Sequence, residues 1–202
     1  MANANTSASG GPLQPSVASP PLEGAALQVF LQNWFAPLTS LDPTLVRPRY
    51  QPEPANIPQA GKAWCAFGIV QRSADRFPYV QFEQPTTNVH LQRHEELHML
   101  ASFYDLGVTG EADMYASLAR DNMSVAQNLE PLLTNGFMLA YVEEMRPAPT
   151  LKMTRWLYRM DLPFVLRRQV DRYYAVLPLE SAQVQLNTDV GFSEEFDVSL
   201  GE

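Results

Sequence analysis

The residues His94-Glu95-Glu96-Leu97-His98 are the one stretch of this chain whose types and spacing could do chemistry. Two histidines a helical turn apart, with a glutamate directly after the first, form the H-E-x-x-H pattern of zinc hydrolases, in which the imidazoles hold the metal and the carboxylate activates water. That chemistry needs a helix through the motif and a third protein ligand from further along the chain. Gln92 to Ala101 does contain good helix formers. The same residues also alternate. Leu91, Leu97, Met99, Ala101 and Phe103 share one strand parity, and His90, His94 and His98 share the other. On a strand, His94 and His98 stand roughly 13 Å apart and cannot hold one ion. No histidine follows His98; of the carboxylates that remain, Glu111, Glu130 and Glu143, the second sits beside Pro131, which interrupts the helix it would need. His90 fails as a third ligand, because on a helix it lies about 12 Å from His98 along the axis. The strand reading is preferred. His94 and His98 as metal ligands are the weaker alternative, and no catalytic residue or cofactor is expected. Gly-x-Ser-x-Gly, a phosphate-binding Gly-x-x-x-x-Gly-Lys loop, Cys-x-x-Cys and Gly-x-Gly-x-x-Gly are all missing from the sequence.

A strand through the histidines needs partners and a covering layer, and the chain supplies both. From Ala25 to Leu38 the residues Leu27, Phe30, Leu31, Trp34, Phe35 and Leu38 recur every three or four positions, predicting an amphipathic helix. Asp42 to Gly61 is too rich in proline for a long helix or a central strand and reads as an extended connector. Ala63 to Gln71 reads as a largely buried strand, Tyr79 to Glu83 as a second, and Phe137 to Val142 as another. A second helix is predicted to start at Thr109-Gly110-Glu111, with Thr109 as cap. It continues one apolar face through Tyr115, Leu118, Ala119, Val125 and Ala126 to Leu129, until Pro131 ends or kinks it. Leu151 to Leu166 predicts the clearest strand, with Trp156, Tyr158, Met160, Leu162, Phe164 and Leu166 on one parity and a mixed, basic opposite face. Tyr173 to Leu177 and Ser181 to Leu186 read as short strands. The organisation expected is one domain over residues 25–188, preceded by an extended Pro/Ser/Ala arm (1–24) and followed by an acidic tail (189–202). Alone, the arm cannot bury enough apolar surface to offset the entropy of ordering and is expected to be disordered; if ordered, it must lie against something, most simply a neighbouring subunit.

Composition narrows the partners. A formal charge of -8 argues against general affinity for nucleic acid, whose phosphates are held by clustered cations. Twelve of the fourteen basic residues are arginine, the planar fork that suits persistent ion pairs at protein interfaces. Arg47, Arg49 and Tyr50 in the connector, with Arg155, Arg159, Arg167 and Arg168 on the basic strand, are the expected partner-facing residues. The acidic tail, which carries no base, could meet that basic strand within or between subunits. Cys65 is the sole cysteine, flanked by Trp64, Ala66 and Phe67, and reads as a small buried hydrophobe in a reducing compartment. No secretory leader is expected, since a basic n-region is missing, and no run approaches the 18 or so apolar residues that cross a bilayer. No membrane partner is expected.

Several short motifs in order and spacing carry a resemblance. They are Val46-Arg47-Pro48-Arg49-Tyr50-Gln51-Pro52-Glu53-Pro54, Arg93-His94-Glu95-Glu96, Ser102-Phe103-Tyr104, Arg120-Asp121-Asn122 with Val125-Ala126-Gln127-Asn128, and Arg155-Trp156-Leu157-Tyr158-Arg159 with Asp161-Leu162. From about Leu27 to Asp189 the chain resembles the neck and tail-terminator proteins of contractile-tailed phages. The resemblance implies an α/β (α+β) subunit, a twisted mixed or antiparallel sheet with two main helices packed on it and extended N- and C-terminal arms. It also implies a virion structural protein with no active-site residues, assembled in the host cytoplasm as a six-fold ring at the head-proximal end of the tail. Such a ring caps the tail tube and joins it to the head connector. Implied partners are further copies of the chain, the tube protein with the sheath as a further candidate, and a head-completion, collar or connector protein. Genomic DNA would pass through without specific binding. Another connector ring of the same neck is the nearest alternative function, and a zinc hydrolase the alternative from a different class.

Overall fold

The apolar spacing from Leu27 produces helix α1, Gly24–Phe35, which buries Leu27, Leu31, Trp34 and Phe35. A computed structural model describes residues 13–15, 21–50, 62–83, 88–105, 110–152, 155–175, 181–187 and 193–199, the side chains of Glu83, Asn88, Lys152, Arg155 and the last two strands excepted. After α1 the chain makes two 3-10 turns, the second capped by the Asp42 carboxylate, which accepts from the Thr44 N–H at 2.8 Å. It then enters β1, Val46–Pro48. The remaining elements are β2 Trp64–Ala74, β3 Tyr79–Glu83, β4 Asn88–Asp105, α2 Glu111–Met123, α3 Ala126–Thr134, β5 Phe137–Val142, β6 Arg146–Pro147, β7 Thr150–Lys152, β8 Arg155–Ala175, β9 Ser181–Asn187 and β10 Ser193–Ser199. The fold is α+β, with an eight-stranded mixed sheet and three α-helices among the described residues.

Contacts divide the chain into two compact units. The larger comprises Pro20–Tyr79 with Gln92–Asp171, and the smaller comprises Met1–Ser19, Val80–Leu91 and Arg172–Glu202. In the larger unit the strands run in the order β1-β2-β4-β8-β5, with β1 parallel to β2 and β2 antiparallel to β4. Contacts between β4 and β8 pair Ser102 with Asp161, Glu96 with Arg167 and Glu95 with Arg168. The numbers fall on one strand as they rise on the other, as in an antiparallel pair. Along the far side of β8, β5, β6 and β7 follow one another as an interrupted edge, with Phe137 opposite Arg168, Arg146 opposite Asp161 and Thr150 opposite Leu157.

The core lies on one face of this sheet. Leu97, Met99, Ala101 and Phe103 of β4 are buried there, as are Cys65 and Phe67 of β2 and Leu162, Phe164 and Leu166 of β8. The Phe35 ring stacks on Phe67 at 4.3 Å and on Phe164 at 5.7 Å, so α1 is keyed to strands at both sides of β4. Helix α2 contributes Ala112, Ala116, Ala119 and Met123, a face of small side chains. In the smaller unit β9 and β10 form an antiparallel hairpin as a two-stranded sheet of their own, and the His90 and Tyr173 rings stack at 4.6 Å.

The strand through the histidines and the first helix are as expected. Other elements differ. The second predicted helix is two, because α2 stops at Met123 and α3 starts at Ala126. Its buried face is the alanine series rather than Tyr115, Leu118 and Val125; Leu118 and Val125 are exposed. Gly110, not Thr109, occupies the cap position with φ 70°, and the Glu111 N–H donates to the Asp105 carboxylate at 3.3 Å. Thr109 lies outside the described residues. Pro131 neither ends nor breaks α3, which runs on to Thr134. The clearest strand starts at Arg155 rather than Leu151, since Leu151 and Lys152 belong to β7 and pair back on it, and it continues through Tyr173, so the short strand expected there is the end of β8. Pro163 does not break β8. The proline-rich connector contains β1, an edge strand and therefore tolerant of Pro48, and the acidic end of the chain contains β10. The arm lies largely outside the described residues.

Candidate functional site: the face of the sheet away from the helices

Alternation along each strand sends the residues between the core positions to the opposite face. On β2 these are Trp64, Ala66 and Gly68, which stand opposite Tyr104, Ser102 and Leu100 of β4. Beside them on β1 is Arg47, opposite Ala66, and the next outward position belongs to Arg49, whose N–H donates to the Phe67 carbonyl at 2.7 Å. Small residues on β2 let the Arg49 side chain lie across that strand. An added Cβ at Gly68 would come within 3.1 Å of the Arg49 Cβ.

Crossing β2, the Arg49 guanidinium donates to the Ser102 hydroxyl at 2.6 Å, and Ser102 donates onward to Asp161. Arg159 donates to the other oxygen of that carboxylate at 2.7 Å. One polar line, Arg49-Ser102-Asp161-Arg159, therefore ties β1 to β4 and β8 over the top of β2. Burial works against the Arg159 charge, but the hydrogen bond and negative charge of Asp161 outweigh it and raise the Arg159 pKa. Trp64 and Tyr104 close one flank with rings stacked at 4.3 Å. The Nε atoms of Arg47, Arg49 and Arg159 are buried without a hydrogen-bond partner among the described residues.

Further along the same face Arg167 donates to Glu96, which raises the Arg167 pKa through that hydrogen bond and the carboxylate charge. Ser73, Asp75 and His94 line the same depression. The His94 N–H and Nδ1 both lie on Asp75 Oδ2, at 3.0 and 3.1 Å, and the bond from the His94 N–H holds the Asp75 pKa below its ordinary value. His98 Nε2 lies 3.3 Å from the Ser73 hydroxyl. Thus the two motif histidines stand on a strand and face different partners on β2 and the turn after it. Among the described residues no group of three or more His, Cys, Asp or Glu is placed to hold a metal ion. Cys65 is buried on the core side, and burial pushes its thiol pKa far up.

The residues expected to face partners are distributed unevenly. Tyr50 is exposed, and Arg47 and Arg49 are half-buried on the sheet face. Arg159 and Arg167 are engaged by Asp161 and Glu96. Arg168 lies on the helix side, buried, with its guanidinium on Glu95 at 2.8 Å, on the Leu22 carbonyl, and 5.7 Å from the centre of the Phe137 ring. Arg155 opens β8 and its side chain is not among those described. Sequence reasoning missed Ser102 as the link between Arg49 and Asp161; the signal available was its adjacency to Phe103-Tyr104 within a quoted motif. Asn122 and Asn128 were also missed as locks: Asn122 donates to the Leu38 carbonyl at 2.8 Å, and the Trp34 indole donates to the Asn128 carbonyl at 2.9 Å.

A helix-backed sheet whose outward polar groups are tied to one another across four strands is the arrangement of a structural α+β subunit. The motifs scattered along the chain, around Arg49, Glu96, Ser102 and Asp161, converge on that one face. The chain belongs to the phage neck terminator protein family, whose model matches residues 25–192. It is therefore a structural protein of the phage neck. No curated protein matches the chain.

Proposed function

We propose that this protein is the repeating subunit of a ring, six-fold as the resemblance implies, at the head-proximal end of the phage tail, where it caps the tail tube and offers a docking face to the head connector. The observation that carries this reading is the family match across residues 25–192, which includes both helical and sheet elements of the larger unit. Two features support it. Polar groups on the outward sheet face are fastened to each other, giving a stiff body suited to stacking against other rings. The chain carries a net charge of -8, so a passage lined by it would let DNA move without trapping phosphates. Its partners on this reading are further copies of itself, the tube protein with the sheath as a further candidate, and a collar or connector protein, all within the virion.

The test is native mass measurement and negative-stain imaging of the purified full chain, alone and with tube protein. Rings that seat on tube ends and stop their growth are the expected result. Rings that bind connector but leave tubes free to grow would move the protein to a neighbouring position in the neck. A chain that stays monomeric at high concentration with both partners present would refute the reading.

A further inference from the structure

Resting on that ring reading, we infer that neighbouring copies meet head-to-tail through the two opposite edges of the larger unit's sheet, the Arg47-Tyr50 end of one copy against the Glu130-Glu144 side of the next. The occupant of each surface is a second copy of this chain.

Neither edge is suited to simple strand addition. At one, β1 spans three residues, contains Pro48 with no N–H, and has its Val46 carbonyl taken by the Gln32 side chain of α1 at 2.8 Å. At the other, β5 is irregular between Leu139 and Tyr141, the ladder is interrupted before β6, and Pro147 and Pro149 follow. A contact between copies must therefore be made by side chains, and those differ in sign. At the β1 edge the Arg47 side chain has no hydrogen-bond or ion-pair partner among the described residues, and Tyr50 is 67% exposed. On the β5 side, Arg146 is already paired with Glu143 at 3.2 Å. Glu144, between β5 and β6, and Glu130, on α3 where it packs against β5, are exposed and have no ion-pair partner among the described residues. On β5 itself Tyr141 is 48% exposed. Two different, complementary surfaces on one subunit generate a heterologous contact, the kind that closes into rings. An exposed tyrosine on each surface, with charges of opposite sign, matches the aromatic and arginine content of interfaces.

The test uses two full-length variants, Arg47→Glu and Glu144→Arg, with folding checked by circular dichroism and self-association read by analytical ultracentrifugation and native mass. Each variant alone is expected to assemble about tenfold or more weakly than the unmodified chain, since a like-charge contact replaces an opposite one at every interface. An equimolar mixture is expected to recover rings, because alternating copies restore Arg-Glu complementarity throughout. Tyr50→Ser, which leaves the charges alone, is expected to weaken assembly without rescue on mixing. If the unmodified chain forms rings and both charge variants form them equally well, this contact is refuted while the ring reading stands. If the unmodified chain forms no ring under any condition, both fall.

Discussion

Glu95→Ala is the substitution whose cost the structure defines best. The Arg168 side chain is 3% exposed and its guanidinium donates to Glu95 Oε2 through two nitrogens, at 3.0 and 2.8 Å, while Glu95 itself is 18% exposed. Removing one partner of a buried ion pair costs about 3–5 kcal/mol, because a charge is left in a low-dielectric setting. Here the Leu22 carbonyl remains, and the Glu23 carboxylate sits at 3.9 Å. These place the expected loss at the low end, about 3 kcal/mol, or about 6–12 °C in Tm for a protein of this size. The reverse substitution, Arg168→Met, leaves the more exposed carboxylate, which can turn toward water, so its cost should be smaller, about 1–2 kcal/mol. Replacing both, Glu95→Leu with Arg168→Met, leaves no stranded charge and should fall within about 1 kcal/mol of the unmodified protein. Urea unfolding followed by circular dichroism measures all three. A Glu95→Ala loss below about 1 kcal/mol, or one no larger than that of Arg168→Met, would refute the account of Arg168 as a buried cation dependent on one carboxylate.

Gly68→Val should destabilise the larger unit by about 1–3 kcal/mol, since its branched side chain must displace Arg49 from the crossing over β2; Ser102→Ala in that background should add little if the line is already broken. A thermal melt of the single and double variants checks this. Cys65 should resist thiol reagents at pH 8 in the folded protein and react promptly in denaturant, because it is buried with its thiol pKa pushed up; rapid native labelling would contradict the placement. Asp75, whose pKa is held below 3.8, contributes stability that is present above its unfolded value and lost as pH falls through the folded one. The Asp75→Asn variant should therefore show a shallower loss of stability with acid below about pH 4 than the unmodified chain, measured by urea unfolding at a series of pH values.

Elements set by local alternation were legible. The strand through the histidines follows from period-two burial, which needs no knowledge of partners, whereas those at Tyr79–Glu83 and Phe137–Val142 follow from their aromatic and β-branched content, the described side chains of the first all being exposed. The break between α2 and α3 was not, since Ser124 and Val125 are neither glycine nor proline. It is made by bonds that local sequence does not announce: the Ser124 N–H donates to the Asp121 carbonyl, the Val125 N–H to Asn122, and the Asn128 side chain to the Asn122 carbonyl at 2.9 Å. Strand β1 was hidden for the same reason, as its parallel pairing with β2 is a tertiary fact. The polar face was partly legible. Its residues were picked out one motif at a time, but what Arg49, Ser102 and Glu96 touch depends on pairings across separations of 53 to 71 residues.

The five residues that read as a zinc motif illustrate why period decides chemistry. On a strand, Glu95 and Glu96 point to opposite faces, and so do Arg167 and Arg168 on the neighbouring strand. Glu96 meets Arg167 on the outward face and Glu95 meets Arg168 on the helix side, while Leu97 enters the core between them. Two consecutive acids against two consecutive arginines thus clamp β4 to β8 from both sides. A slip of one residue would carry Leu97 out of the core and exchange the faces of both carboxylates. A slip of two would leave Arg168 buried without its partner. The register is fixed by the cost of those alternatives as much as by the strength of the pairs, which is the best attested use of a buried ion pair. His94 and His98, at the ends of the clamp, hold Asp75 and Ser73 and so bind β2 and the turn after it to the same strand. The motif's charges thus serve to fix how three strands align, and that alignment is what brings Arg49, Ser102 and Asp161 into one line.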